Sequence, residues 1–359
     1  MRKIGIRIYF CFLISFVILV FSCGPNPAPV SVILCIGDGM GSEQQRAASS
    51  YLTGSDASLS FSNFPVKGFV ATNSADSSIT DSAASATAMA TGVKVNNGVI
   101  SRRLPGNGDD LETLLEYAKA RGKSTGIVTT TAVTHATPAA FTAHNESRNN
   151  YSGVALDLFT AAKPNVILGG GGSVYGVDLE AVTAYGYNLV TTGSDLLNTA
   201  DDSFLCGIFN NDHLPYEFDG YTTQPHLHEM AGTALKILDT DPDGFFLMIE
   251  GGRIDHAAHV NDLERMVYEV AEFSNTVQTV MDWMAGREDV LLIVTSDHET
   301  GGLSVISNNG QGNMPGVTWS TTGHTGADVP FYVDGYGREV FLDLDDNTGF
   351  LDRIIKNAW

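Results

Sequence analysis

Apolar residues in this chain fall into two kinds of run. The segments Val30-Ser31-Val32-Ile33-Leu34-Cys35-Ile36, Phe245-Phe246-Leu247-Met248-Ile249 and Val290-Leu291-Leu292-Ile293-Val294 are short and almost continuous. That pattern suits strands buried on both faces, as in parallel sheets. Each runs into an acid: Gly37-Asp38-Gly39, Glu250-Gly251-Gly252 and Thr295-Ser296-Asp297-His298. Residues 126–128, 166–168 and 330–333 predict further strands. Elsewhere the period lengthens. Leu111, Leu114, Leu115 and Ala118 form an i, i+3, i+4, i+7 stripe after Asp109 and Asp110, closed by Gly122. Helices are also predicted over 225–238 and 262–285, the second with Met266, Val270, Val277, Val280, Met281 and Met284 inward as core packing. The alternation predicts an α/β fold: a large central, mostly parallel sheet with helices on both faces. In such sheets ligands bind at the carboxyl edge of the strands, where the acids stand. Residues 171–224 have no regular pattern, and no internal repeat or charged linker divides the chain.

The N-terminus follows a different logic. Arg2, Lys3 and Arg7 lead into an apolar stretch over 8–21, and Gly24, Pro25, Asn26 and Pro27 follow. This reads as a secretory signal, too short for a transmembrane helix of about 20 apolar residues. Val20-Phe21-Ser22-Cys23 resembles a bacterial lipobox. On that reading residues 1–22 are removed, Cys23 is lipidated, and the exported chain is periplasmic or tethered to the outer membrane. The alternative is a signal peptide without lipid. The remainder, 23–359, is expected to be a single domain. Four cysteines do not make a disulfide scaffold. Cys11 goes with the leader, Cys35 is expected to be a buried thiol, and a Cys35–Cys206 disulfide stays open.

Charge narrows the partners. The 359 residues include 20 Lys+Arg against 41 Asp+Glu, a net charge of −21, or −24 once residues 1–22 are removed. Nucleic acid is excluded, because phosphate backbones are bound by clustered cations, and so is adhesion to anionic lipid. An anionic small substrate is not, since bound metal ions reverse the local sign.

Candidate metal ligands cluster at the strand ends. Asp255 and His259 lie four apart, so on a helix they share one face. Asp297 and His298 are adjacent, while Asp38 and His324 are each flanked by glycine. Mixed Asp/His ligation without cysteine suits Zn²⁺; Asp38, Glu250 and a threonine hydroxyl suit Mg²⁺. Any one of these could be a turn or cap residue, but independent capping needs do not explain their recurrence. Residues 80–92 are rich in Ala, Ser and Thr and read as a tightly packed helix, stopped by Gly92 and capped by Asp81 or Ser82. Ser82 would then lie at the positive end of that helix, where an anion is favoured. A serine hydroxyl needs activation, and a bound Zn²⁺ supplies it. Gly122-Lys123-Ser124 is not a P-loop, because Tyr117 stands where the first glycine is required, and no G-x-S-x-G surrounds Ser82.

Taken together, six ordered blocks resemble the alkaline phosphatase family: Asp38-Gly39-Met40-Gly41, Thr80-Asp81-Ser82-Ala83, His135-Ala136-Thr137-Pro138, Glu250-Gly251 with Asp255 and His259, Thr295-Ser296-Asp297-His298-Glu299, and Gly323-His324-Thr325. The resemblance implies hydrolysis of phosphate monoesters at alkaline pH, with Ser82 as the nucleophile that becomes phosphoserine. It implies one zinc on Asp255, His259 and His324, serving the water of the second step, and another on Asp38, Asp297 and His298, holding the Ser82 oxygen. It implies a third metal, Mg²⁺, shared by Asp38, Glu250 and Thr137, and Arg148 as the clamp on two phosphate oxygens. His135 stands where some members carry an aspartate near the third metal, which bears on that metal's identity. His256 stands where some carry a lysine that reaches phosphate through water; it is either a phosphate contact or an exposed helix residue. Broad substrate range and a homodimer are expected on the same basis. Only 25 residues separate His298 from His324, leaving no room there for the accessory insertions of some relatives. Competing readings are a phosphodiesterase or sulfatase of the same superfamily and a non-catalytic lipoprotein that binds metal or phosphate. The sulfatase reading lacks the Pro and Arg its nucleophile motif needs after Ser82.

Overall fold

The computed structural model describes Met1, residues 30–199 and residues 204–359. The leader, the lipobox and Cys23 lie outside the described residues.

Thirteen strands occur among the described residues: β1 Ser31–Gly37, β2 Val66–Val70, β3 Ser124–Ala132, β4 Val166–Gly170, β5 Asn188–Val190, β6 Leu205–Ile208, β7 Phe245–Gly251, β8 Val290–Thr295, β9 Glu299–Thr300, β10 Leu303–Ser307, β11 Gly316–Trp319, β12 His324–Thr325 and β13 Val329–Gly335. Nine form one sheet in the order β2-β13-β8-β1-β7-β3-β4-β6-β5. The pairs from β8 through β5 are parallel, while β13 runs antiparallel to both β8 and β2.

The continuous apolar runs are explained by the two faces of this sheet. Ile33 and Cys35 of β1 enter one core, while Val32, Leu34 and Ile36 enter the other. Leu247 and Ile249 alternate with Phe246 and Met248 in the same way. The helix Leu263–Met284 covers the first face with Met266, Val270, Val277 and Val280. The helices Ser82–Thr91 and Gly349–Ala358 cover the second, through Ala86, Met89, Ala90, Phe350 and Ile354. No helix among the described residues is long and apolar enough to cross a membrane.

Three readings shift in detail. The helix expected to begin after Asp110 is Leu114–Lys119, because Thr113 and Glu116 form a reciprocal capping box there; Leu111 is buried outside it. Within 171–224, left unassigned by its lack of pattern, the described residues extend the sheet edge with β5 and β6 and add short helices at Leu179–Ala184 and Gly193–Leu197. Strands of three and four residues are too short for periodicity to register. Cys35 and Cys206 are both free and buried, on β1 and β6 with β7, β3 and β4 between them, so no disulfide joins them.

Candidate active site

Four adjacent strands, β8, β1, β7 and β3, end at one place. Ile36 of β1 is level with Thr295 of β8 and Glu250 of β7, and Glu250 is level with Thr129 of β3. Asp38 follows β1, Asp297 and His298 follow β8, and β7 leads into the helix Arg253–His259. After β3 the chain turns at His135, which precedes the helix Ala136–Thr142. The turn after β1 depends on Gly39, whose φ is +70°. A Cβ there would lie 2.9 Å from both Asp255 Cα and Thr300 Oγ1, so the Asp38 turn packs directly on the neighbouring group.

The first group is Asp255, His259 and His324, whose ligand atoms lie within 4.8 Å of one another. The Arg253–His259 helix puts Asp255 and His259 on one face, with Oδ2 to Nε2 at 3.3 Å. His324 comes from β12, pinned to β9 by antiparallel pairing. Both imidazoles point the same nitrogen inward: His259 Nδ1 donates to the Thr322 carbonyl at 2.6 Å and His324 Nδ1 to the Thr80 carbonyl at 2.8 Å. Their Nε2 atoms are left 3.1 Å apart. Asp255 accepts the His259 Nε2 proton and raises that ring's pKa to about 9. With that proton displaced, the two Nε2 lone pairs face each other, an arrangement a shared cation satisfies.

The second group is Asp38, Asp297 and His298, all fully buried. His298 Nε2 lies 3.2 Å from Asp297 Oδ2 and 3.4 Å from Asp38 Oδ1. Both Asp38 oxygens and Asp297 Oδ2 lack hydrogen-bond partners. Burial first, then Asp297, pushes the Asp38 carboxyl well above its usual range. Burial and Asp255 push Asp297 to about 8. Asp255 is held low despite burial, by its hydrogen bond to His259 and the nearby His298. Buried carboxylates with unpaired oxygens are costly unless a cation pairs with them.

The third group is Asp38, His135 and Glu250. Glu250 Oε2 accepts from Thr129 and from Thr131, the latter at 3.0 Å. Glu250 Oε1, Thr137 Oγ1 and His135 Nδ1 are buried without partners. These orphaned donors and acceptors fit an oxygen-rich cation site with a histidine at its border. Burial and then Arg148 hold His135 well below the usual histidine range, so the ring is neutral there.

Ser82 begins its helix beside the second group, with Oγ 3.2 Å from His298 Nε2. Asp81 is the cap: its side chain accepts from Ala84 N and from Gly98 N, each at 3.0 Å, and pairs with Arg148 Nη1 at 2.9 Å. Arg148 Nη2 also lies 3.4 Å from His135 Nε2. Asp81 therefore ties the serine helix to Arg148, and Arg148 reaches the third group through His135. His256 is packed against His135, ring centroids 5.4 Å apart; it is not an exposed helix residue.

The candidate metal ligands, Ser82, Arg148 and His256 thus lie in one cluster. Other members carried no separate signal. Thr300 donates to Asp255 Oδ1 at 2.6 Å and lies 3.1 Å from His298 Nδ1, bridging two groups. Glu299 accepts from Gln44, Leu303 N and Thr325, bracing β9 against β12. The threonine run 129–131 could have been noticed as hydroxyls at the end of an otherwise apolar strand.

Comparison with known proteins agrees with this geometry. The family model described as alkaline phosphatase matches residues 30–316. Alkaline phosphatase 3 of Bacillus subtilis is 36% identical over 77% of the chain and 62% of that protein; alkaline phosphatase 4 of the same organism is 38% identical over 91% of the chain and 88% of that protein. The chain therefore spans less than two thirds of the first relative's length. The crystal structure of a cold-active alkaline phosphatase from a psychrophilic Shewanella superposes with a TM-score of 0.82 at 30% identity, covering 91% of this chain and 99% of that one. With the sheet, the strand-end cluster and these matches in agreement, the chain belongs to the alkaline phosphatase family.

Proposed function

We propose that the chain hydrolyses phosphate monoesters by two successive displacements, with Ser82 as the nucleophile that becomes phosphoserine, at a centre of two Zn²⁺ and one Mg²⁺. The observation that carries this reading is the setting of Ser82 Oγ, at a helix N-terminus and 3.2 Å from a histidine that shares its nitrogen with two buried carboxylates. Asp38, Asp297 and His298 would hold one zinc beside that oxygen; Asp255, His259 and His324 would hold the other. Asp38, Glu250 and Thr137 would hold the magnesium, with His135 at its edge. When bound, such ions stabilise a serine alkoxide, lower the pKa of water and neutralise charge on the phosphoryl group.

The chain's own residues do the rest. The Ser82 oxygen attacks phosphorus as the bond to the ester's alcohol breaks and the alcohol leaves with a proton. Water then attacks phosphorus, releasing phosphate and restoring the Ser82 hydroxyl. The amides at the start of the serine helix favour the phosphoryl anion. Arg148, anchored by Asp81, grips two non-bridging oxygens with its planar fork. His256 contributes a further contact to the phosphoryl group. Two in-line displacements give net retention at phosphorus. Only the phosphoryl group is gripped, which favours a broad substrate range. We also infer export through residues 1–22 with Cys23 as a lipid anchor, a single domain over 23–359, and a homodimer.

The test is turnover of p-nitrophenyl phosphate by the zinc- and magnesium-loaded protein. Ser82→Ala is expected to lower kcat by about 10³-fold or more, with metal content unchanged. No turnover by the loaded wild type, or full activity in Ser82→Ala, would overturn the reading. Faster hydrolysis of a matched diester would assign the chain to the diesterases instead.

A further inference from the structure

Three histidines meet at the outer side of the third group. His135, His213 and His256 have nitrogens within 4.8 Å of one another, and the His213 ring lies 4.5 Å from that of His256 and 5.2 Å from that of His135. A metal among them is opposed by what their nitrogens already do. His213 Nδ1 accepts the Ala132 N–H at 2.9 Å, so its proton is on Nε2, 3.1 Å from Tyr175 Oη. Tyr175 gives its own proton to Asp212 at 2.7 Å and can therefore accept from His213. His256 Nδ1 faces Arg253 Nη1 at 2.8 Å. Guanidinium only donates, so the His256 proton is on Nε2. Arg148 stands in the same relation to His135. Two guanidinium groups also repel a cation.

We propose that Arg253 and His213 are positioning residues for His256, fixing its ring so that Nε2–H is the donor to the phosphoryl oxygens of substrate and of bound phosphate. This rests on the phosphomonoester reading and extends it to two residues outside the ligand set.

Arg253 is itself immobilised. Its backbone N–H donates to Thr130 Oγ1 at 3.2 Å, and its guanidinium lies over the Tyr216 ring, 3.8 Å from the centroid. It opens the helix that carries Asp255, His256 and His259, so its placement is set by the same turn that aims the zinc ligands. His213 ties the loop before Tyr216 to the end of β3 through Ala132 and presents its ring as a wall against His256. Without Arg253, either His256 nitrogen could carry the proton and the ring could turn over. Without Tyr175, the wall loses the acceptor that holds its plane.

The experiment uses the full, metal-loaded chain and measures kcat, KM for p-nitrophenyl phosphate and Ki for inorganic phosphate in Arg253→Met, Arg253→Lys, Tyr175→Phe and His256→Ala, with Arg253→Met and Tyr175→Phe also made in the His256→Ala background. Arg253→Met is expected to raise KM and phosphate Ki about tenfold, the scale of one charge-assisted hydrogen bond, while kcat changes less than about threefold. Arg253→Lys, which keeps a donor, recovers most of the loss. Tyr175→Phe loses less, in the same direction. Neither substitution adds to the loss in the His256→Ala background. Wild-type values in Arg253→Met, or losses that add fully to those of His256→Ala, would overturn the inference. A wild type that does not hydrolyse p-nitrophenyl phosphate would instead fail the functional reading itself.

Discussion

At the scale of single residues, Asp81 carries more than its place in a helix cap suggests. Its carboxylate holds the first turn of the serine helix, the Gly98 amide and Arg148 together. Asn in its place can still cap the helix but no longer pairs with the guanidinium. Asp81→Asn is therefore expected to raise KM and phosphate Ki roughly fivefold, equivalent to about 1 kcal/mol, with a melting temperature close to wild type. A large fall in melting temperature would show that the cap, not the arginine anchor, is its main role. The ligand types could be read in advance because acids and histidines at strand ends stand out against apolar neighbours. His213, Arg253 and Thr300 could not. Each acts through a contact between segments far apart in sequence, and nothing in their local pattern separates them from surface or turn residues.

At the scale of elements, the site is precise because its turns are crowded, with Gly39 packed against the Asp255 backbone. Gly39→Ala would place a methyl group against the Asp255 backbone in a left-handed conformation. It is expected to cost about 1–3 kcal/mol and to weaken zinc retention, measured by chemical unfolding and metal content after dialysis. The short helix Leu114–Lys119 is held differently. Burial opposes charge on His144, but its bonds to Glu116 and the Ser101 carbonyl outweigh that and raise its pKa to about 9. The stabilisation is complete below the unfolded pKa of about 6.5 and is lost as pH rises through about 9. Melting temperatures of wild type and His144→Gln should therefore converge between those pH values; a gap that widens with pH would contradict the assignment. The central strands and the long helix were legible because their periods are clean over many residues. The short strands β5 and β6 and the edge strand β2 were not, because pairing with neighbours makes them strands, not their own composition.

At the scale of the whole molecule, the acid excess divides into two parts. Four carboxylates, Asp38, Glu250, Asp255 and Asp297, are buried together at the carboxyl ends of the central strands. Among the other described acids only Glu269 and Glu299 are buried; on the exposed ones net charge acts on solubility. Removing metal is therefore expected to destabilise the fold as well as abolish activity. At a thousandfold excess of metal over its dissociation constant, binding contributes about 4 kcal/mol. Chelation should lower the melting temperature and zinc with magnesium should restore it; an unchanged melting temperature would show that these carboxylates are accommodated without cations. The most direct test of the central claim is to quench the metal-loaded protein in acid during turnover of a phosphate monoester and map phosphorylation by peptide mass spectrometry. The account expects one phosphoryl group, on the peptide containing Ser82 and absent from Ser82→Ala. Phosphate on another residue, or rapid turnover with no serine phosphorylated at any quench time or pH, would contradict it.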